Sequence, residues 1–250
     1  MQIIHFEELD STNLEARRRA EAGHTGPLWI TAGTQTQGRG RRGREWTSET
    51  GNLYCTGLYP NFGDLKQAAL MSFVAALAVS DTIAVYIDPA KISLKWPNDV
   101  LIEGGKASGI LLENGTSHGQ PWFAVGIGIN LVSSPKDTPY PATNVLEHIA
   151  PDKLDGPEPI MTDPEAACAL LAARFDHWRH ILVTEGFAPI RTAWTSKAKG
   201  LGENVTVRLP NETFNGKALG LGPDGELQVE LGNGTIRGVR AGDVFFGVQD

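Results

Sequence analysis

The chain has 250 residues, 41% hydrophobic and 20% charged, which suits one large domain, or one domain with a small appendage, around a buried core. Its 22 basic and 29 acidic residues leave a net charge of −7, which argues against general affinity for nucleic acid or an anionic membrane. The start lacks the layout of a signal peptide and no uncharged apolar run reaches the roughly 18 residues of a membrane span. Cys55 and Cys168 are too few for a disulfide framework or a zinc site, so a cytoplasmic protein with reduced cysteines is expected.

In chain order, Ile3 to Phe6 reads as a strand. A helix follows from Asp10-Ser11-Thr12-Asn13-Leu14-Glu15, where Thr12 and Glu15 have capping-box spacing, and Gly23 stops it. Leu28 to Ala32 and Leu53 to Tyr59 are strands, and the Ala/Leu/Val/Met-rich stretch from Leu65 to Val85 is a buried helix. Ile92 to Lys95, Val100 to Ile102 and Lys106 to Glu113 are short strands separated by turns at Trp96-Pro97-Asn98-Asp99 and Glu103-Gly104-Gly105. Trp122 to Leu131 is another strand, with Gly126 and Gly128 at alternate positions, so one face is bare enough for something flat to lie on it. Ser133 to Pro159 is proline-rich and irregular, with a helical turn near Val145 to Ile149. Asp163-Pro164-Glu165 opens a helix to about Thr184, and a second runs from Phe187 to Lys197. Beyond Gly200, five short strands (Val205–Leu209, Thr213–Leu219, Leu227–Leu231, Thr235–Val239 and Val244–Val248) with tight turns suggest a small antiparallel barrel, and the domain edge falls near Lys199.

The densest positive charge of this acidic chain lies on its most flexible backbone: Gly38 to Arg44 holds four arginines and three glycines in seven residues. Glycine lets backbone approach a ligand, and arginine offers a planar fork of donors for carboxylate or phosphate. Gly38, Gly40 and Gly43 match a dinucleotide-binding spacing, but that motif needs a following helix, and Trp46 to Tyr54 reads as loop and strand. A solvated basic loop and a grip on an anion both fit these residues. Lys95-Trp96-Pro97-Asn98-Asp99 alone is a turn, Asp10-Ser11-Thr12-Asn13 alone is a cap, and Lys106 is either an edge residue or an anion ligand. His177 and His180 lack an evident third ligand and read as packing or surface residues.

Taken together and in order, Ser11-Thr12-Asn13, the Gly38–Arg44 loop with Trp46, Gly51-Asn52-Leu53-Tyr54, Lys95-Trp96-Pro97-Asn98-Asp99, Gly105-Lys106-Ala107-Ser108-Gly109-Ile110-Leu111 and Gly126-Ile127-Gly128-Ile129-Asn130 resemble the biotin–protein ligase family. The resemblance covers about residues 5 to 132 in motifs and the rest more loosely. It implies an α/β (α+β) fold: a class II synthetase-like catalytic domain on a mixed sheet over 1–199, then an SH3-like β-barrel over 200–250. It also implies formation of biotinyl-5′-AMP from biotin and ATP with Mg²⁺, then transfer of biotin to a lysine of a biotin carboxyl carrier domain. Because the sequence reaches its first motif almost at Met1, the operator-binding module of some members is expected to be absent, with no DNA or membrane partner, as a monomer or homodimer.

The first step drives a carboxylate against a phosphate, so pre-oriented positive charge must surround both. By resemblance, Lys106, Arg41, Arg44 and Asp99 are the catalytic set, and Lys106 bridges the biotin carboxylate and the α-phosphate. Ser11, Thr12, Asn13, Gln35, Gly38, Arg39, Arg41, Lys106, Gly109 and Leu111 form the biotin site. Arg41, Arg44, Trp46, Asn98, Lys106 and Asn130 form the ATP site, and Asp99 is the candidate carboxylate for Mg²⁺ or for the incoming lysine. The arginine loop is then a lid, disordered when empty, that traps the reactive mixed anhydride. Thr36 and Gln37 stand where members often carry small or hydrophobic residues, which leaves the way into the loop open. A lipoate–protein ligase, or a non-catalytic biotin-binding module, is the alternative.

Overall fold

A computed structural model of the chain describes residues 1–24, 26–61, 65–149 and 163–246. Seven strands make one mixed sheet: β1 (Gln2–Leu9), β2 (Leu28–Gln35), β3 (Leu53–Pro60), β4 (Ile92–Lys95), β5 (Asp99–Ile102), β6 (Gly105–Ser117) and β7 (Gln120–Ile129). Their order is β1-β2-β3-β7-β6-β5-β4. Only β1 and β2 run parallel, and the crossover this demands carries α1 (Thr12–Glu21). The β5–β6 and β6–β7 hairpins turn on Glu103-Gly104 and His118-Gly119, all four at positive φ, the mirror-image turn whose twist suits paired strands. The second turn was not expected. Asn114-Gly115-Thr116-Ser117 is polar enough to read as loop, yet the ladder to β7 continues to Ser117 opposite Gln120.

Strand alternation divides the sheet into two faces. Trp29, Cys55, Tyr59, Phe123, Val125 and Ile127 share one core with the buried residues of α2 (Leu65–Ile83) and α3 (Pro164–Glu185). Leu28, Ile30, Leu58, Trp122 and Ala124 face the other way, under Ala16 and Ala20 of α1. Helix α3 starts as expected: the Asp163 carboxylate accepts from the amides of Glu165 (2.9 Å) and Ala166 (3.4 Å), with Pro164 in the first turn. Helix α1 does not form its expected capping box. Ser11 stands at the cap without a side-chain bond, Glu15 pairs with Arg18 and Arg19, and the Thr12 amide is satisfied from β2 by Gln35 Oε1 at 2.9 Å.

After α4 (Phe187–Ser196) the chain runs along β4. The Leu94 amide donates to the Lys197 carbonyl and the Lys199 amide to the Leu94 carbonyl, both at 2.8 Å. The second sheet then follows as β8 (Asn204–Arg208), β9 (Thr213–Leu221), β10 (Leu227–Glu230), β11 (Ile236–Val239) and β12 (Asp243–Phe246), in antiparallel order β11-β10-β9-β8-β12. All five expected strands are present, and the expected end at Val248 lies outside the described residues. The expected barrel is not closed: β11 and β12 are separate edges, joined by residues 240–242 without pairing. Both are only four residues long, and β12 turns its residues toward the first sheet instead. Trp96 ties the two sheets together, its Nε1 donating to the Gly225 carbonyl at 3.2 Å. The expected helical turn in the proline-rich segment is a 3-10 turn at Leu146–His148, and the end of that segment, within 150–162, lies outside the described residues.

Candidate active site

Beyond α1, on the same face of the sheet, lies a cavity of about 330 Å³. Its floor is glycine. Gly109 of β6 and Gly128 of β7 are register partners, and the Trp46 indole rests on both. A β-carbon at Gly128 would stand 2.5 Å from Trp46 Cε2, and one at Gly109 would stand 2.7 Å from Cζ3. The flat group expected over the alternate glycines is therefore the chain's own tryptophan. Gly126 makes room for something else, since its β-carbon would lie 1.9 Å from Asn13 Oδ1.

One wall is the corner between β1 and α1. Asp10 accepts from the Ser11 amide at 2.7 Å and takes both arms of Arg18 at 2.8 and 2.9 Å. The Arg18 guanidinium holds this carboxyl down at about 2. From here a polar chain crosses the wall. Asn13 Nδ2 donates to Glu113 (3.0 Å), and its Oδ1 lies 2.7 Å from the Thr56 hydroxyl, which is 2.8 Å from that of Thr12. Gln35 receives the Thr12 amide and donates to Ser48 (3.1 Å), whose hydroxyl reaches the Trp46 carbonyl. The Thr36 and Gln37 amides continue the β1 ladder, donating to the carbonyls of Leu9 (2.9 Å) and Asp10 (2.8 Å). These backbone bonds settle the way into the loop.

The arginine loop folds as a tight hairpin over the floor. Arg39 bridges Glu45, the Trp46 amide donates to the Gly38 carbonyl (3.0 Å), and the Gly40 amide donates to the Arg44 carbonyl (2.7 Å). The tip at Arg41–Gly43 puts Arg42 and Gly43 at positive φ. Arg39 is exposed at the mouth, whereas Arg41 points inward and donates to Asn98 Oδ1 at 3.1 Å. Burial lowers the Arg41 guanidinium from its usual pKa. Arg42 and Arg44 meet one carboxylate oxygen of Asp243, at the start of β12, at 2.9 and 2.6 Å.

Lys106 stands at the centre. Its ammonium lies 2.7 Å from Asp99 Oδ1 and 5.5 Å and 5.2 Å from the rings of Trp46 and Tyr140. Its backbone is paired on both sides by the proline-rich segment: the Lys106 amide donates to the Pro141 carbonyl (2.8 Å) and the Thr143 amide to the Lys106 carbonyl (3.0 Å). That segment is therefore a cavity wall. Lys95 lies about 6 Å from the Phe245 and Phe246 rings, and burial lowers its ammonium.

The cavity brings together Ser11, Thr12, Asn13 and Gln35 at one end, Gly109 and Leu111 on the floor, and Arg39, Arg41, Arg44, Trp46, Asn98, Asp99 and Lys106 around the other end. Gly38 and Asn130 are not brought to its surface. Gly38 is buried under the Trp46 carbonyl, where a β-carbon would come within 2.3 Å, and Asn130 Nδ2 donates to the Thr143 carbonyl (3.0 Å) behind Lys106. Sequence reasoning missed Lys95, Tyr140, Lys199, Asp243 and Phe245, all of which line the cavity. Lys95 had a signal, being part of the Trp-Pro-Asn-Asp stretch; the others arrive from remote segments. Among the described residues no group of three His, Cys, Asp or Glu side chains could hold a metal ion.

The cavity is thus glycine-floored, set on a mixed sheet and roofed by an arginine hairpin. The chain belongs to the biotin/lipoate A/B protein ligase family, whose model matches residues 5–131. A second model, the biotin protein ligase C terminal domain, matches residues 200–247 and sets the chain on the biotin side of that family. It is 41% identical over 242 residues to a biotin–[acetyl-CoA-carboxylase] ligase of Paracoccus denitrificans, covering 95% of this chain and 98% of that one. It is 32% identical to the bifunctional ligase/repressor BirA of Bacillus subtilis, covering 98% of this chain and 74% of the other. The fold matches the biotin protein ligase of Aquifex aeolicus in complex with biotin and ATP, with a TM-score of 0.77, 28% identity and 99% of each chain covered.

Proposed function

We infer that the chain is a biotin–protein ligase that joins biotin to ATP as biotinyl-5′-AMP, with release of pyrophosphate, and then passes biotin to a lysine of a carrier domain. The observation that carries this reading is the concentration of Lys106, Arg41, Arg44 and Lys95 around one end of a cavity whose other end is polar but uncharged at Ser11, Thr12 and Gln35. An elongated acid with a neutral, hydrogen-bonding head and an anionic tail fits that polarity. In our reading the ring urea meets Ser11, Thr12 and Gln35, and paired polar contacts there discriminate against acids lacking it. Lipoate offers such a site no urea.

The carboxylate of the tail then lies by Lys106, beside the α-phosphate. Arg41 and Arg44 offset the charge that builds up as the carboxylate oxygen attacks phosphorus and pyrophosphate leaves. Trp46 lies along the nucleotide side, with Asn98. In the second step a neutral amine attacks the acyl carbon and AMP departs. In our reading Asp99, 2.7 Å from Lys106, takes the proton from the incoming ammonium. Among the described residues no carboxylate cage awaits Mg²⁺, and Asp99 is paired with Lys106, so we assign the ion to the phosphates it accompanies.

The test mixes the protein with ATP, Mg²⁺ and either labelled biotin or lipoate and follows pyrophosphate release. Release with biotin is expected; none with biotin, or equal release with lipoate, defeats the reading. The same reading has the chain act as a monomer or homodimer without a DNA partner, so duplex DNA at moderate salt leaves its mobility unchanged. Among the described residues no helix is long and apolar enough to cross a membrane.

A further inference from the structure

We propose that Asp243 is a positioning residue: from the C-terminal sheet it latches the arginine hairpin shut over the cavity. The partners are about 200 residues apart in sequence, at separations of 201 and 199. One oxygen, Asp243 Oδ2, meets Arg42 Nη1 at 2.9 Å and Arg44 Nη2 at 2.6 Å. Arg42 lies in the tip of the hairpin and Arg44 just after it, so one carboxylate holds both the turn and its return limb. Its own position is firm: Asp243 opens β12 and is the register partner of Arg208 on β8, and the neighbouring Phe246 packs onto Gly200. Asp243 is 22% exposed, against 36% and 55% for the two arginines. The carboxylate is thus the sheltered partner and the arginines the more exposed ones.

The latch rests on the ligase reading for its purpose, since Arg44 is also the cation assigned to the phosphates. A polyphosphate entering the cavity competes with Asp243 for Arg44 but leaves Arg42 on the carboxylate. The hairpin can then stay closed while one of its arginines changes partner. A carboxylate that served only to bind nucleotide would act differently, and so would one that merely supported the sheet.

The experiment compares wild type, Asp243→Asn and Asp243→Glu in the full chain. Protein charged with labelled biotin and ATP is chased with excess unlabelled biotin, and loss of bound adenylate is timed. Exposed ion pairs are worth little singly, so Asp243→Asn is expected to speed the loss about fivefold, with partial recovery in Asp243→Glu and a smaller difference at high salt. The Michaelis constant for ATP is expected not to rise, because Arg44 is freed, and Arg42→Gln is expected to add nothing in the Asp243→Asn background. An unchanged loss rate, or a raised constant for ATP with normal retention, overturns the latch. If the chain forms no adenylate, the ligase reading fails separately. The latch is then read from trypsin cleavage after Arg42 and Arg44 in the ligand-free protein: faster cutting in Asp243→Asn at an unchanged melting temperature supports it, and equal cutting overturns it.

Discussion

Gly126 and Gly128 are two residues apart on one strand, face the same way, and should fail in opposite manners when changed to alanine. At Gly128 the added methyl stands 2.5 Å from Trp46 Cε2 and 2.7 Å from Nε1. The backbone accepts alanine there, so the cost is steric: about 1–3 kcal/mol for overpacking a well-filled contact. The indole belongs to a hairpin that can lift, and lifting it moves the arginines off the cavity while leaving both cores untouched. The penalty therefore falls on closure. At 1.4 kcal/mol per tenfold, adenylate formation drops about 5- to 150-fold with little change in melting temperature. At Gly126 the methyl would lie 1.9 Å from Asn13 Oδ1. Asn13 is buried in the first turn of α1 and held by Glu113 at 3.0 Å and Thr56 at 2.7 Å, so it cannot swing away. There the same methyl should cost about 3 kcal/mol of global stability, or roughly 6–12 °C in a chain of this size. Thermal unfolding and pyrophosphate release, measured on both variants, decide the matter. Equal melting losses, or a Gly128→Ala variant with full activity and a stable fold, would refute the account of the floor.

Three further outcomes are expected. Lys106→Met should slow adenylate formation by about two orders of magnitude, roughly 3 kcal/mol, because a charge acting in the transition state is gone; a single-turnover measurement with saturating biotin and ATP checks this. Arg41→Ala should both slow adenylate formation and release the intermediate faster, and unchanged retention in a pulse–chase would remove its charge-compensating role. Asp10 is held at about 2 when folded against 3.8 as the ordinary value, so its contribution is complete above that ordinary value and is lost as pH falls toward 2. Discounted for partial exposure it amounts to about 1 kcal/mol, and Asp10→Asn should flatten acid unfolding between those pH values.

The strands and helices were legible wherever a local rule governed them: Asp163 before Pro164 does cap α3, and the Glu103-Gly104 turn does join two strands. Expectations failed where a distant atom did the same task better. Thr12 and Glu15 have the spacing of a capping box, but the Gln35 side chain reaches the helix amide first. The β6–β7 hairpin was missed because its tip is polar on both faces, so alternation carried no signal there. At the site, residues clustered in short motifs were legible because backbone proximity alone keeps them together. Asp243, Tyr140 and Lys199 were not, since each comes from a segment remote in sequence and nothing in a neighbouring residue records that it will reach the cavity.

The site also shows how an acidic chain keeps so many cations in one small space. Arg41, Arg44, Lys95 and Lys106 line the same cavity, and burial already disfavours charge on Arg41 and Lys95. Two carboxylates lower the repulsion: Asp99 takes Lys106 at 2.7 Å, and Asp243 takes Arg42 and Arg44. An arriving phosphate or carboxylate therefore exchanges for a resident anion more than it fills a bare field. Net attraction is modest in that case, and direction matters more than affinity, because each cation is already held where it must act. That exchange suits the second carboxylate in particular: Asp243 sits on strand β12, while its partners Arg42 and Arg44 ride on the hairpin. On the latch proposed above, Asp243 keeps its place when Arg44 changes partner, and Arg42 keeps the hairpin on it.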